Sequence, residues 1–418
     1  MNGKNFNQSR QPKAVNIASL LNAGQLQVML LERCKTAALE FGIELLEQDV
    51  EALCGQRYER KQNDGLCHRA GSDETSIILD GVKVKTRRPR VRNEEGEVEL
   101  PTLAKLQDQD LFDDQIKHRL LRGISTRNYS EVVAAWSKKT GVSKSSVSRA
   151  FVRVSQKSLE ELNHLDLSKF RFVGMMIDGV DFAGTAVIVA MGVTDDLQKI
   201  PLGIREGDTE NSVVVKDLLA SIMERGFTLR CARLIAVLDG AKALRKAVAD
   251  VFGERAIFQR CWLHKLRNLK KYMPEKFHGD LYWRMKKLMG LTTHAEAKLE
   301  LLRLTEWLDT ISLSAGNSLR ECGQDLLTVH ELGLPKLLRD SLATTNAIES
   351  LIGVVRDKTG RVKNWKCKTK LKVTQIARWV ASSILAHRSK MRRLRGYKHA
   401  TALIVGLDVV VATERKSA

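Results

Sequence analysis

The chain has 418 residues, 43% of them hydrophobic and 28% charged, which is enough apolar material for two or three domains with cores and excludes a disordered chain. Its 69 Lys and Arg against 49 Asp and Glu leave a net charge of +20, a balance that favours a polyanionic partner because each neutralised phosphate releases counterions. No apolar run reaches the roughly 20 residues that span a bilayer, the start lacks a signal-peptide pattern, and the 7 scattered cysteines read as reduced cytoplasmic thiols.

In chain order, the polar first dozen residues are followed by helical spacing over 18–53, through Leu20, Leu21, Leu26, Leu30 and Leu31 and then Leu39, Phe41, Leu45 and Leu46. The stretch KVKTRRPRVR, Lys83 to Arg92, alternates cations with Val, Thr and Pro and reads as extended. An acidic run, Glu94, Glu95, Glu97 and Glu99, comes next. Residues 111–157 form a second helical block. Two helices there meet at Thr140-Gly141-Val142, with Ser143 as N-cap of the second. That helix displays Lys144, Ser145, Ser148 and Arg149 and turns Val147 and Phe151 inward. A helix-turn-helix over 123–153 and an ordinary helical hairpin both fit. Residues 1–165 are thus expected to form a helical DNA-binding region.

The pattern then changes. FVGMMID (172–178), TAVIVAMGV (185–193) and KIPLGIR (199–205) read as three strands with short links, an antiparallel meander. A helix from Asn211 to Gly226 leads to a fourth strand, LIAVLD (234–239), and a helix over 241–252 follows. A crossover of that kind sets the fourth strand parallel to the first. Residues 168–252 therefore read as the first part of an α/β, ribonuclease-H-like core built on a mixed five-stranded sheet. Residues 253–340 read as an all-helical insertion, with LYWRMKKLM and EAKLELLRLTEWL its clearest pieces and no strand evident. Residues 341–400 read as the last, helical part of the core, and 401–418 as a tail. From 341 onward, 17 Lys and Arg face 4 Asp and Glu, so most of the excess charge lies in the last fifth of the chain.

Asp178 and Asp239 each stand at the end of an apolar run, on strands predicted to be neighbours. Converging carboxylates repel unless a cation lies between them, and hard oxygen ligands select magnesium or manganese. The competing reading is that each Asp-Gly pair makes a turn, and Asp181 competes with Asp178. A third carboxylate is expected on a helix. Glu349, in ATTNAIESLIGVV, is the candidate, or else a capping-box partner of Asn346. Cys261 and His264, in QRCWLHKLRNLKK, are half of a zinc site without a second half, so no structural zinc is expected. Arg260, Lys265 and Arg267 on the same segment, and Arg356, Lys358, Arg361 and Lys363 after Glu349, are candidate phosphate contacts. Trp262, Trp283 and Trp307 suit base stacking or core packing.

The segments GISTRNYSEVV, IDGVDF, PLGIREGDTENS, LIAVLDGAKALRKAV, FQRCWLHKLRNLKKYMP and TTNAIESLIGVVRDKTGRVKNW, with the later RWVA, run in order from about 120 to 400. Together they resemble the Mutator-type transposases of bacterial insertion sequences. The resemblance implies a ribonuclease-H-like core with a helical insertion and an Asp, Asp, Glu triad on Asp178, Asp239 and Glu349, with the family's Cys-x-x-His motif on Cys261 and His264. It implies two magnesium (or manganese) ions, binding of the element's terminal inverted repeats, DNA strand cleavage and strand transfer. It also implies a homodimer or larger assembly on DNA in the bacterial cytoplasm. A nuclease that cuts without joining, and a DNA-binding protein without catalysis, are the alternatives.

Overall fold

The computed structural model describes residues 23–58, 67–79, 82–126, 129, 143–182, 184–207, 211–362, 364–365 and 374–408. The chain forms two compact units, one of residues 1–120 and 124–151 and the other of 121–123 and 152–418.

The first unit begins with a long helix, α1 (Ala23–Cys54), followed by strands β1 (His68–Leu79), β2 (Val82–Asn93) and β3 (Gly96–Val98) and helices α2 (Pro101–Leu106) and α3 (Gln109–Leu121). The strands form an antiparallel sheet in the order β1-β2-β3. Leu46 and Val50 of α1 pack with Ile77, Val91, Leu100 and Leu103. The basic stretch is extended, as its alternation predicts. The expectation of a helical region is otherwise corrected: this unit sets a helix on a three-stranded sheet. β1 reads HRAGSDETSIIL and shows no apolar alternation of its own. It is held by its partner strand, with Arg88 reaching both Asp73 and Glu97 at 2.8 and 2.7 Å.

Helix α4 (Lys144–Asn163) opens with Ser143 as its cap, the hydroxyl accepting the Ser146 N–H at 3.1 Å. The second unit is built on strands β4 (Phe172–Phe182), β5 (Thr185–Thr194) and β6 (Lys199–Glu206), helix α5 (Ser212–Glu224), strand β7 (Leu234–Leu238), helix α6 (Lys242–Phe252) and strand β8 (Ala256–Arg260). Helices follow from there: α7 (Trp262–Lys270), α8 (His278–Gly290), α9 (His294–Ile311), α10 (Leu313–Cys322), α11 (Thr328–Glu331), α12 (Lys336–Leu342), α13 (Asn346–Thr359), α14 (Gln375–Arg388) and α15 (Ala400–Asp408).

The sheet order is β6-β5-β4-β7-β8. β5 pairs antiparallel with both β4 and β6, and β4-β7 and β7-β8 pair in parallel. Strand periodicity sorts the side chains onto two faces. Met175, Ile177, Ala236 and Leu238 meet α5 and α6 through Val215, Leu218, Leu219 and Leu244. Met176, Val180, Ile235 and Val237 meet the later helices, including Ile348, Leu351, Ile352 and Val355 of α13. The fifth strand lies inside the segment expected to be wholly helical, which corrects that boundary. AIFQR is short and ends polar. Its Phe258 carbonyl accepts from the Thr328 hydroxyl at 2.6 Å, and the buried Gln259 amide donates to the Leu326 carbonyl and accepts from Val329 N–H, each at 3.0 Å. From 262 to 342 no further strand occurs.

Candidate active site

The register of the three parallel strands puts Ile177, Leu238 and Arg260 at one level. The residues one step on are Asp178, Asp239 and Cys261, and the Cys261 N–H continues the ladder to the Leu238 carbonyl at 2.8 Å. Asp178 does not end its strand. It sits inside β4, paired with Val189, so the turn reading fails there. It shares the face of Met176 and Val180 and is 9% exposed. Asp239 does make a turn, accepting the Ala241 N–H at 2.9 Å as the chain enters α6. Burial first, then the charge of Asp239 and more weakly that of Glu349, push the Asp178 carboxyl up to about 6, against the Gly179 N–H and the His264 ring. Three carboxylates from distant segments thus share one electrostatic neighbourhood. Asp181 is exposed near the hairpin tip and accepts the Gly184 N–H at 3.1 Å, one residue out of phase with that face.

Glu349 comes from the first turn of α13, whose N-cap is Thr345 rather than Asn346. It is therefore no capping-box partner. Its carboxylate accepts from the Thr345 hydroxyl at 2.8 Å. His264 Nδ1 lies 3.6 Å from one carboxylate oxygen, and Arg267 lies 3.9 Å from the other. Cys261 is the N-cap of α7, so Cys261 and His264 stand at a helix start. Cys261 Sγ, a His264 ring nitrogen and a Glu349 oxygen lie within 4.8 Å of one another. Burial opposes ionisation of the Cys261 thiol, but hydrogen bonds with His264 and Thr345 hold it below the usual thiol value. The same contact with Cys261 raises His264. Thr345, hub of this group and fully buried, is the residue that sequence reading missed. Its neighbour Asn346 offered the stronger capping signal. The oxygen donors of Asp178, Asp239 and Glu349 suit a hard divalent cation such as magnesium.

The family described as "Transposase, Mutator family" matches residues 15–367. The chain belongs to this family. The transposase is 25% identical over 334 residues to the transposase for insertion sequence element ISRM5 of Rhizobium meliloti, covering 76% of this chain and 79% of that one. It is 26% identical over 246 residues to the transposase for IS6120 of Mycolicibacterium smegmatis, covering 57% and 74%. To the transposase for IS1201 of Lactobacillus helveticus it is 24% identical over 355 residues, covering 82% and 92%.

The remaining candidates of the transposase divide. Lys144, Ser145, Ser148 and Arg149 are all exposed on α4, above a buried Val147 and Phe151. The preceding helix and Gly turn of the helix-turn-helix reading lie outside the described residues. Arg267 is exposed and beside Glu349, as a phosphate contact requires. Lys265 is not: it is fully buried, and its ammonium donates to the Ser318 hydroxyl at 3.1 Å. Position N4 of a helix packed under α10 faces the core, which its charge had concealed. Arg260 ends β8 rather than riding on a helix, and its guanidinium lies against Gly240. Arg356 is exposed, Lys358 half-buried, and Arg361 donates to the Gly123 carbonyl at 3.2 Å. Lys363 lies outside the described residues. Trp283 is 63% exposed with the Lys286 ammonium 4.6 Å from its ring centroid, whereas Trp262 and Trp307 pack on the core. No helix among the described residues is long and apolar enough to cross a membrane.

Proposed function

We propose that the chain is a DDE transposase that binds the terminal inverted repeats of an insertion sequence, cuts DNA strands at its ends and joins them to target DNA. The observation that carries this reading is the common level of Asp178 and Asp239 on adjacent parallel strands, with Glu349 brought to the same face by α13. The strand order and directions support a ribonuclease-H-like core, and the helices between β8 and α13 are its helical insertion. Two magnesium or manganese ions, when bound, supply Lewis-acid stabilisation of the attacking and leaving oxygens of an in-line displacement.

The protein's own groups have distinct roles in this reading. Asp178, Asp239 and Glu349 are the oxygen ligands. Burial and Asp239 make Asp178 harder to ionise than an ordinary aspartate, and a cation at this site would favour its charged form. Arg267, beside Glu349, holds a phosphate of the substrate strand. His264 supports Glu349 through Thr345. No structural zinc is proposed: of the grouped Cys261, His264 and Glu349, the carboxylate is assigned to the triad, which leaves two of the four ligands such a site needs. The first unit, with the exposed face of α4, holds the element end. Two ends must be held for joining, which calls for a homodimer or larger assembly.

The test is incubation of the full chain with DNA carrying candidate element ends, a target plasmid and magnesium, with products mapped by sequencing. Asp178→Asn, Asp239→Asn and Glu349→Gln are each expected to abolish cutting and joining while DNA binding persists. Asp181→Asn is expected to be far milder. Wild-type cutting by any of the first three removes that residue from the triad.

A further inference from the structure

Two helix starts meet beside Glu349. The Trp262 N–H of α7 donates to the Ala343 carbonyl at 3.2 Å, and the Thr345 N–H ahead of α13 donates to Cys261 Sγ at 3.4 Å. A helix start leaves backbone N–H groups without partners, and an N-cap threonine ordinarily turns its own oxygen onto them. Thr345 makes no such bond. Its hydroxyl points instead at Glu349 Oε1, 2.8 Å away. Among the described residues this is the one hydrogen bond to that carboxylate. The nearest basic side chains, His264 and Arg267, stand at 3.6 and 3.9 Å, beyond hydrogen-bond range.

We propose that Cys261 and Thr345 are positioning residues for Glu349: the sulfur accepts from the Thr345 N–H and lies 3.3 Å from its hydroxyl, which anchors Thr345 at the start of α13, and the hydroxyl in turn fixes the carboxylate. A hydroxyl carries one proton and two lone pairs. Glu349 Oε1 only accepts and is the nearer acceptor, at 2.8 Å against 3.3 Å for Cys261 Sγ, so the proton goes to it. His264 Nδ1, 3.2 Å from the same oxygen, must then be the donor to Thr345. The chain runs from His264 N–H through Thr345 O–H to Glu349. Cys261 and Thr345 are both fully buried, so water does not compete between the sulfur and Thr345. Partners of this kind orient a metal-binding carboxylate, and losing one costs about 10- to 100-fold in metal affinity. The inference rests on the DDE reading of Glu349.

The test is titration of the metal-free full chain with Mn²⁺, free Mn²⁺ being read by electron paramagnetic resonance. Thr345→Val keeps the shape and removes the hydroxyl, and it is expected to weaken Mn²⁺ binding by at least about tenfold. Thr345→Ser is expected to restore it. Thermal melting and metal-free DNA binding are expected to match wild type in both. Should Thr345→Val melt early, Cys261→Ala carries the test. It leaves the hydroxyl in place but removes the sulfur that anchors Thr345, and the same loss is expected, with Cys261→Ser milder. Wild-type Mn²⁺ affinity in a folded Thr345→Val or Cys261→Ala overturns the proposal. Glu349→Gln in the same titration separates the two claims. If it alone weakens binding, the positioning role falls and the triad stands. If it too leaves affinity unchanged, the triad assignment falls with it.

Discussion

Asp178 is where burial and like charge act together, and its behaviour is measurable without DNA. An unfolded aspartate titrates near 3.9, whereas Asp178 is pushed up to about 6 by burial and by Asp239. Between those values the folded state binds more protons than the unfolded one, so this group makes stability fall as pH rises from about 4 to 6 and leaves a constant deficit above. Two units amount to roughly 3 kcal/mol. Metal-free Asp178→Asn is therefore expected to melt several degrees above wild type at pH 7.5 and level with it at pH 4. Magnesium is expected to raise the melting temperature of wild type at pH 7.5 and not that of the variant. Parallel melting curves for the two proteins across this range, with or without magnesium, would rule out a strained carboxylate at this position. Lys265 and Arg267 give a second contrast. Lys265 is buried against Ser318, and burial lowers its ammonium below the ordinary lysine value. Arg267 is exposed beside Glu349. Lys265→Met is expected to leave DNA affinity unchanged, and Arg267→Gln to weaken it. The reverse order in a filter-binding assay would contradict this placement.

The elements show why some of the fold could be read ahead and some could not. β4, β5, β6 and β7 are long or wholly apolar runs, buried on both faces, and α5 carries Val215, Leu218, Leu219 and Ile222 at clean helical spacing. Such segments declare themselves through their own side chains. β8 does not, because it is five residues long and one of its core positions is Gln259. β1 does not either, since its cross-strand partners supply the order that its own sequence lacks. The site divides the same way. Asp178 and Asp239 stood out at the ends of apolar runs, while Thr345 works through contacts with residues 84, 81 and 4 positions away. Lys265 and Arg267 look alike in sequence, and only the direction of the helix face separates them. The edge of β8 offers its own test. Gln259 holds the Leu326 carbonyl and the Val329 N–H of the segment packed against β8. Gln259→Leu strands both, at about 1–3 kcal/mol each. It is expected to lower stability in urea by a few kcal/mol and to impair cutting, because Cys261 is two residues on. Unchanged stability would mean that the edge is held by other contacts, such as the Thr328 hydroxyl on the Phe258 carbonyl at 2.6 Å.

Across the whole molecule, charge is distributed in a way that a generic basic protein does not need. Residues 341–418 hold 17 Lys and Arg against 4 Asp and Glu, and this excess begins just past Glu349. Helix α13 makes the connection physical. Glu349 lies in its first turn and Arg356 in its last, and seven residues of helix span only about 10 Å. That is a short distance beside a DNA duplex, whose phosphates recur every few ångströms along each strand. Arg356 is exposed and makes no ion pair among the described residues, and Arg361 follows just beyond the helix. If DNA reaches Glu349, it must pass these cations. Phosphate contacts position a duplex without reading its sequence. Arg356→Gln with Arg361→Gln is therefore expected to weaken binding to element-end DNA and to random DNA alike, and to flatten the slope of log affinity against log salt by about two units, roughly 0.9 for each lost contact. The competing view is that the basic segment is a solvated face that serves solubility alone. Under that view the double variant binds with unchanged affinity and unchanged slope. Such a result would also count against Glu349 as the third carboxylate, because the helix that presents Glu349 to DNA presents Arg356 along with it.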